Sequence, residues 1–520
     1  MPTWTGLGAN NNWNTVGNWD TAVPTAATTA LFTGAGVSGS KNCTITAGAA
    51  CSLLSCSAYL GTMSLANTLT VVGNLTLNSG MAITGSGGIS KTGNGTLISN
   101  GVTLDAPLTL NGGGGTAHTL GSNWTINGTI SQNLSSQTIT GGGFTASLGA
   151  GLTVGILSAN NVTFLLRGTG TLSATSYVGN TITGSTILIS SSAGTITQAG
   201  LSLSTCTFTY VTGGYNSTGT LSVGGLGVTF NNISGIVFDS VAFLAAGGQA
   251  ITLNSNIYIS RSLSVGAVIG NINGAFTAYV GGNITPSVGI RGTATIEMSG
   301  SGNASISAGS IQNNLTINKS GGATVTFPAG GTITWGETGR TLTYTAGTIN
   351  PSTSTFAIPN NIPVTINGMS FYNLTVPGGN SSIVTQNVLN NISNNLTLGS
   401  NGNILFTGSV GWTCANLICS TIGRTITLGN SSTGASYRTT TSASLTATSA
   451  SRITMTSDNA TTRSLWTLDY GAQQQLIYVN GTRIDSSQGQ TIWSFGAALT
   501  NTVNWTTGSR PGTIGYTFVN

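Results

Sequence analysis

The stretch that decides the fold is residues 69–110, LTVVGNLTLNSGMAITGSGGISKTGNGTLISNGVTLDAPLTL. It contains short triplets in which an apolar residue, a small or hydroxylated residue and usually a second apolar residue follow one another. The triplets begin at residues 69, 75, 81, 89, 96, 102 and 108, so they are six to eight residues apart. This alternation predicts strands with one buried face, and the Gly, Asn and Ser between the triplets predict tight turns.

The spacing of the triplets is shorter than the roughly 8–12 residues between strands of a sandwich. It is typical of a three-faced coil of about 20 residues that stacks on its neighbours at about 4.8 Å. We therefore predict an all-β chain that forms a right-handed parallel β-helix (a β-solenoid), with tandem β-sandwiches as the alternative. Asn-rich turns, such as those at Asn74, Asn94 and Asn283, are expected to form side-chain amide ladders between coils.

Two segments differ in composition from the repeat. The first is aromatic, with Trp4, Trp13, Trp19 and Phe32, and is expected to cover the open edge of the first coil. In the last segment Arg and acidic residues become commoner, which indicates a separate closing or oligomerisation module. The predicted organisation is a Trp-rich cap over residues 1–40, a parallel β-helix over 41–433 and a C-terminal β module over 434–520.

Charged residues are scarce throughout the chain. Only 4% of the 520 residues are charged, with 13 Lys and Arg, eight Asp and Glu and a single His, whereas about a quarter is usual. The basic residues form no run, and no apolar stretch approaches the roughly 18 residues needed to span a bilayer. We therefore expect neither nucleic-acid binding nor membrane insertion. The N-terminus, as written, has no basic or hydrophobic region typical of a secretory signal.

Catalytic groups are correspondingly few. Residues 41–430 contain four carboxylates, Asp105, Asp239, Glu297 and Glu337. At about 20 residues per coil, Glu297 and Glu337 could stack two coils apart, at roughly 10 Å, a separation marginally compatible with an inverting glycosidase pair. Isolated, solvated carboxylates are the favoured interpretation. The sole histidine, His118, follows a Gly run and is expected on the surface beside a turn. We therefore predict no catalytic, cofactor-binding or metal site and no cofactor.

The chain contains six cysteines and no CxxC motif, so a zinc site is not expected. They are interpreted as small buried apolar residues, and stacked pairs between neighbouring coils are an alternative for the first three. The six are Cys43, Cys51, Cys56, Cys206, Cys414 and Cys419.

Two N-terminal stretches resemble bacterial surface proteins. The opening, with Trp4-Thr5-Gly6, Trp13, Asn18-Trp19, Pro24 and Phe32, resembles the head module of autotransporter-like β-helix proteins. Residues 85–97, GSGGISKTGNGTL, are similar to the passenger-associated repeat of such adhesins. This resemblance implies a secreted bacterial β-helix adhesin on the cell surface.

The C-terminal stretch resembles a different group of proteins. It contains residues 453–457 (ITMTS), 466–468 (WTL), 471–473 (GAQ), 478–479 (YV), 484–492 (IDSSQGQTI) and 504–505 (NW). This pattern looks like the end module of large repetitive structural proteins encoded in tailed-phage and environmental viral genomes. Such proteins are fibres, spikes or other virion appendages and are usually homotrimeric. The resemblance brings no site residues with it.

The function that we expect is a non-enzymatic structural component of a phage virion, a fibre- or spike-like appendage on the tail or head. Its expected partners are two further copies of the chain, other virion proteins and a host-surface glycan, to which exposed aromatic rings would be the contacts. Its expected location is the virion, assembled in the host cytoplasm. Two alternatives remain open, a secreted adhesin and a glycan-degrading tailspike that uses Glu297 and Glu337.

Overall fold

The computed structural model describes residues 1–34, 41–132, 137–179, 185–224, 227–243, 250–266, 270–359, 363–377, 382–399, 403–429 and 435–508. The predicted fold class is confirmed, since 59% of the chain is strand, 1% is helix and the stacked parallel strands form a β-solenoid of about 20 turns. Each coil pairs in parallel with the next, as in the series Leu54, Leu75 and Leu97. Sandwiches are built from antiparallel sheets, so the alternative of tandem β-sandwiches is wrong.

The chain forms two compact units. The first comprises Met1–Ser260 with Asn273–Phe276, and the second comprises Arg261–Ile272 with Thr277–Asn520. The segment boundaries expected from composition, at residues 40 and 433, stay a prediction. Residues 40 and 433, like residues 509–520 of the expected C-terminal module, lie outside the described residues.

In the first half of the chain, within the described residues, the strands are mostly three to five residues long, and two short 3-10 helices, Val16–Asn18 and Ile233–Gly235, accompany them. The strands are β1 Ala30–Phe32, β2 Cys43–Ile45, β3 Ala49–Cys51, β4 Leu54–Cys56, β5 Thr62–Leu65, β6 Leu69–Val71, β7 Leu75–Thr76, β8 Ala82–Thr84, β9 Ile89–Lys91, β10 Gly95–Ile98, β11 Thr103–Asp105, β12 Leu108–Leu110, β13 Thr116–Leu120, β14 Trp124–Ile126, β15 Thr129–Gln132, β16 Gln137–Thr140, β17 Thr145–Leu148, β18 Gly151–Asn160, β19 Thr163–Leu166, β20 Gly170–Gly179, β21 Ser185–Ser204, β22 Cys206–Ser217, β23 Thr220–Val223, β24 Val228–Asn231, β25 Val237–Phe243, β26 Ala250–Leu253 and β27 Ile257–Val265.

The remaining strands follow the same pattern of short segments separated by turns. They are β28 Gly270–Asn273, β29 Thr277–Val280, β30 Asn283–Pro286, β31 Ile290–Arg291, β32 Thr295–Met298, β33 Ala304–Ser305, β34 Gly309–Ile311, β35 Asn314–Asn318, β36 Thr324–Thr326, β37 Thr332–Trp335, β38 Arg340–Ala346, β39 Thr348–Asn350, β40 Thr355–Ala357, β41 Val364–Asn367, β42 Ser370–Phe371, β43 Asn373–Pro377, β44 Ser382–Val388, β45 Asn390–Gly399, β46 Ile404–Thr407, β47 Trp412–Cys419, β48 Thr425–Leu428, β49 Ser436–Thr446, β50 Ile453–Ser457, β51 Ser464–Leu468, β52 Gln473–Ile477, β53 Val479–Thr482, β54 Ile484–Asp485, β55 Ile492–Phe495, β56 Leu499–Thr500 and β57 Trp505–Thr507.

Early in the first unit each coil has three strands, because each strand pairs with the third strand after it, as β4 does with β7 and β7 with β10. Inward side chains then form columns that run from coil to coil. One of these columns contains Cys43, Met63, Ile83, Leu104, Ile126, Leu148, Leu166 and Ile189, all of them buried. Burying one such large aliphatic side chain contributes roughly 1.5–3 kcal/mol, so the columns supply the continuous core that one coil alone lacks.

An aromatic cluster occupies the beginning of the first unit. Trp4, Trp13 and Trp19 pack around Phe32, with ring centroids 4.8–5.9 Å apart. Phe32 ends β1, which pairs in parallel with β4. The indole rings are therefore joined to the first coils through a paired strand.

The second unit has its own columns. One of them contains Phe356, Leu374, Leu396, Leu417 and Ala443, which are all buried. Its coils differ in length, since Ala278, Ile296, Leu315 and Leu342 are successive members of another column and are separated by 18, 19 and 27 residues. Because coil length varies, a constant spacing of 20 residues does not identify which residues stack on one another.

The turns of successive coils are joined by asparagine side chains. Asn74 and Asn94 do not form the expected amide ladder; their Oδ1 atoms accept the backbone N–H groups of Thr96 and Ala117 in the next coil, at 2.9 and 2.8 Å. Asn283 accepts from Ser305 in the same way. A side-chain ladder does form in the second unit, through Thr355, Asn373, Asn394, Asn416 and Ser442. Asparagine therefore fixes the stacking of the coils by two kinds of hydrogen bond.

Candidate functional site

The two glutamates considered as a catalytic pair lie in different strand columns. Glu297 in β32 is in register with Thr316 and then with Thr343. Glu337 follows β37, which belongs to the column formed by β34, β37 and β40. The less favoured alternative, in which the two carboxylates stack two coils apart, is therefore wrong.

Each of these carboxylates has a different partner. The Glu297 carboxylate accepts a hydrogen bond of 2.8 Å from the Asn318 amide. Glu337 forms an ion pair of 2.8 Å with Arg340 three residues later. The arrangement gives two separate polar contacts, whereas glycoside hydrolysis needs two carboxyl groups on opposite sides of one bond.

His118 is not on the surface, as its position after a Gly run suggested, but fully buried. It lies on β13, where alternation turns Thr116, His118 and Leu120 inward, so the period-two pattern of that strand was the available signal. Its Nε2 lies 2.9 Å from the side-chain oxygen of Gln137, and we therefore assign the ring proton to Nε2. Burial lowers the pKa of His118, and the charge of Lys91 lowers it further against the opposing effect of the Gln137 hydrogen bond.

Lys91 is a second buried polar side chain of the same region. It takes an inward position in a column whose neighbouring members are Val71 and Leu110. Its Nζ donates to the Val72 carbonyl at 2.6 Å and to the Gly93 carbonyl. Burial lowers the pKa of Lys91 from 10.5 to about 8. The ammonium is therefore held by turn carbonyls of two coils.

All six cysteines are buried free thiols, as expected, and the stacked pairs considered for Cys43, Cys51 and Cys56 do not form. Burial raises the pKa of the Cys51, Cys206 and Cys414 thiols to about 12. Because the thiolate is the reactive form, these groups are poor nucleophiles in the folded chain.

A groove of about 290 Å³ opens on the second unit. It lies where the register shifts between Ile392 and Asn395 of β45, and the next coil shifts in the same way. Such bulges bend a strand locally, which accounts for a concave corner there. The groove residues are Pro351, Ser370, Phe371, Asn391, Ile392, Ser393, Thr413, Cys414, Ala415 and Thr440.

Three of these groove residues form a file across successive coils. Ser370, Asn391 and Thr413 are in register. Within the described residues their side chains make no hydrogen bond, so a hydroxyl, an amide and a second hydroxyl remain free to bind a ligand. The next position of the file is Arg438, whose guanidinium is engaged by both carboxylate oxygens of Asp469 at 2.8 and 2.9 Å.

The first unit has a second groove, of about 410 Å³. It lies at the register shift between Leu172 and Ala174 of β20. Its residues are Ser173, Ala174, Gly200, Leu201, Ser202, Thr220 and Ser222, none of them charged. Both grooves present hydroxyl or amide groups, which suit an uncharged ligand rich in hydroxyls.

Metal and membrane sites were also considered. In the part of the chain that the structure describes, no three His, Cys, Asp or Glu side chains come together as metal ligands. None of the described helices has the length and apolar character required to cross a bilayer.

Comparison with protein-family models, with curated proteins and with solved structures finds no match for this chain.

Proposed function

We propose that this chain is a non-enzymatic structural component of a phage virion, a fibre- or spike-like appendage that contacts a host-surface glycan. The observation that carries the glycan contact is the file of Ser370, Asn391 and Thr413 in the groove of the second unit. Saccharides are rich in hydroxyl groups that donate and accept hydrogen bonds. A row of hydroxyl and amide side chains repeated at the coil spacing of about 4.8 Å suits such a ligand.

The structural role is supported by the construction of the core. Columns of inward apolar residues continue over many coils, and the turns are joined by asparagine hydrogen bonds. Each coil is therefore held by both of its neighbours, which favours a protein that resists local unfolding and proteolysis. The virion setting and the homotrimer rest on the resemblance of the C-terminal stretch to the end modules of viral structural proteins.

The separation of the carboxylates supports the non-enzymatic part of the proposal. Glu297 and Glu337 lie in different columns, and each already has a polar partner. A glycan-degrading tailspike would need a paired acid and base at one sugar linkage.

The proposal is tested on the purified full chain. Its molar mass is measured by light scattering, its binding is screened on an oligosaccharide array, and the bound oligosaccharides are assayed for new reducing ends. We expect a trimer that binds saccharides and releases no reducing ends.

A monomer would contradict the virion appendage and favour the secreted adhesin. Release of reducing ends would show an enzyme, and its loss in Glu297→Gln would identify the glutamate responsible. Loss of binding in the double variant Ser370→Ala, Asn391→Ala, with an unchanged melting temperature, would support the groove as the site.

A further inference from the structure

An aromatic pair lies on the surface of the second unit, at the corner between β52 and β53. Tyr478 occupies that corner and Phe495 ends β55. Strands β52 and β55 pair in parallel, with Ile477 opposite Phe495. The Tyr478 N–H donates to the Phe495 carbonyl at 2.7 Å. The rings meet edge to face, with centroids 5.8 Å apart. Phe495 is 45% exposed, so an apolar ring faces solvent.

The backbone is adapted to hold the Tyr478 ring at this place. Tyr478 has φ +52°, a left-handed conformation that is unfavourable for a non-glycine residue. Gly496 lies beneath the ring with φ +67°, and a Cβ atom there would be 2.5 Å from the ring carbon Cδ1. The left-handed backbone at Tyr478 and the absence of a side chain at Gly496 therefore make room for this half-buried ring. Backbone strain of this kind is often found at binding sites.

A cation completes the corner. The guanidinium carbon of Arg452 lies 5.9 Å from the centroid of the Tyr478 ring. Arg452 donates from Nη1 to the side-chain oxygen of Asn480 at 3.2 Å and from Nε to the Ser449 carbonyl at 3.4 Å. Within the described residues no carboxylate forms an ion pair with Arg452. Its Nη2 donors remain available for an anion.

We propose that Arg452, Tyr478 and Phe495 form a binding site for a sugar that carries a carboxylate. The apolar face of the sugar ring would pack on the exposed Phe495 ring, and its carboxylate would accept hydrogen bonds from Arg452. Guanidinium groups match carboxylates in both charge and geometry, and they bind them more strongly than neutral groups do. The proposal rests on the saccharide binding of the proposed function. It assigns to this corner an acidic sugar, whereas the uncharged grooves suit neutral ones.

The test measures binding of the full chain to oligosaccharides containing uronic or sialic acid, each beside its carboxyl-reduced counterpart. We expect the acidic forms to bind at least tenfold more tightly, with a difference that decreases as salt is added. Phe495→Ala and Arg452→Gln are each expected to weaken binding of the acidic form at least tenfold. Arg452→Gln should also abolish the preference over the reduced form.

Two further variants separate binding from folding. Tyr478→Gly removes the ring at a position whose backbone favours glycine, so this variant is expected to melt no lower than the natural chain and to lose affinity. Tyr470 is 80% exposed and serves as the matched control. Tyr470→Ala removes an exposed ring from another turn and should leave binding unchanged.

The outcomes distinguish this site from the proposed function. Binding of neutral saccharides alone would overturn the acidic-sugar site and leave the proposed function standing. Binding of acidic saccharides that survives Phe495→Ala and Arg452→Gln would overturn the assignment to this corner. Failure of the natural chain to bind any saccharide on the array would overturn both.

Discussion

Replacement of Lys91 by methionine tests whether the solenoid core contains a charge held at an energetic cost. Lys91 lies between the apolar side chains of Val71 and Leu110 in its column. Burial lowers its pKa from 10.5 to about 8. Each pKa unit corresponds to about 1.4 kcal/mol, so the charged amine destabilises the folded state by up to roughly 3 kcal/mol. Water that reaches the amine would reduce this cost.

The sign of the pH dependence follows from the direction of the shift. At pH 7 the amine is protonated in both the folded and the unfolded chain, and the full cost of burial is present. Between about pH 8 and pH 10.5 the folded chain loses the proton while the unfolded chain still holds it, so the contribution of Lys91 to stability rises with pH. The neutral amine still has two N–H donors for the Val72 and Gly93 carbonyls.

The measured quantity is the difference in the free energy of unfolding between Lys91→Met and the natural chain. We expect this difference to shift against the variant by about 1–3 kcal/mol between pH 7.5 and pH 10.5. The loss of the two carbonyl hydrogen bonds in the variant is present at every pH and does not change this shift. Buried thiols and phenols titrate in both proteins, so their effects cancel.

The assay is guanidinium denaturation followed by tryptophan fluorescence, at pH 7.5, 9 and 10.5. Leu110→Met is the control, since it places the same side chain one coil further along the column and removes no titratable group. The difference in the free energy of unfolding between Leu110→Met and the natural chain should be independent of pH. A difference for Lys91→Met that stays constant within about 0.5 kcal/mol would refute the reasoning.

Four further outcomes are expected. Ile126→Ala truncates a buried side chain in the column that runs from Cys43 to Ile189 and should cost about 2–5 kcal/mol in guanidinium denaturation. Thr125→Ala, at its outward neighbour, should cost less than about 1 kcal/mol. Burial lowers the pKa of His118 below 6.5, so the natural chain should lose stability as the pH falls below 6.5, by at most about 1.4 kcal/mol per pH unit. His118→Gln should lack this part of the acid dependence when melting curves at pH 7 and pH 5 are compared. The six thiols should not react with a disulfide reagent at pH 8 until denaturant is added, and rapid labelling of the folded chain would contradict their burial. Lys319→Met should show a pH dependence of the same sign as Lys91→Met, since burial also lowers the pKa of Lys319.

The strands could be predicted from the sequence because a period of two is a local property. The triplets that begin at residues 69, 89 and 108 coincide with Leu69–Val71, Ile89–Lys91 and Leu108–Leu110. The prediction of a surface location for His118, made from the preceding Gly run, is wrong because the alternation of its own strand turns the side chain inward.

The stacking of particular residues could not be predicted, because coil length is not constant. A repeat of about 20 residues aligns Glu297 with a residue 40 positions later. The next two coils contain 19 and 27 residues at this point, so Thr316 and Thr343 are the residues in register. The extra residues lie in turns, which a solenoid tolerates without change to its columns. Grooves that depend on register shifts and the corner formed by Tyr478 and Phe495 are equally inaccessible from local patterns.

The two buried lysines show why a chain so poor in charge keeps some of it inside. Lys91 bridges carbonyls of neighbouring coils, and the Lys319 amine donates to the Gly281 carbonyl and, at 2.7 Å, to the Ser299 carbonyl of earlier coils. At a corner the parallel ladder is interrupted, and a carbonyl left there without a donor costs about 1–3 kcal/mol. A lysine can supply several donors from one side chain, and the long apolar stem of the same side chain packs in the column. These lysines therefore stabilise the register of the corners at the expense of charge burial. In Lys91→Met the cost of charge burial is removed, but the Val72 and Gly93 carbonyls lose their donor, so the turn that contains Gly93 is expected to loosen.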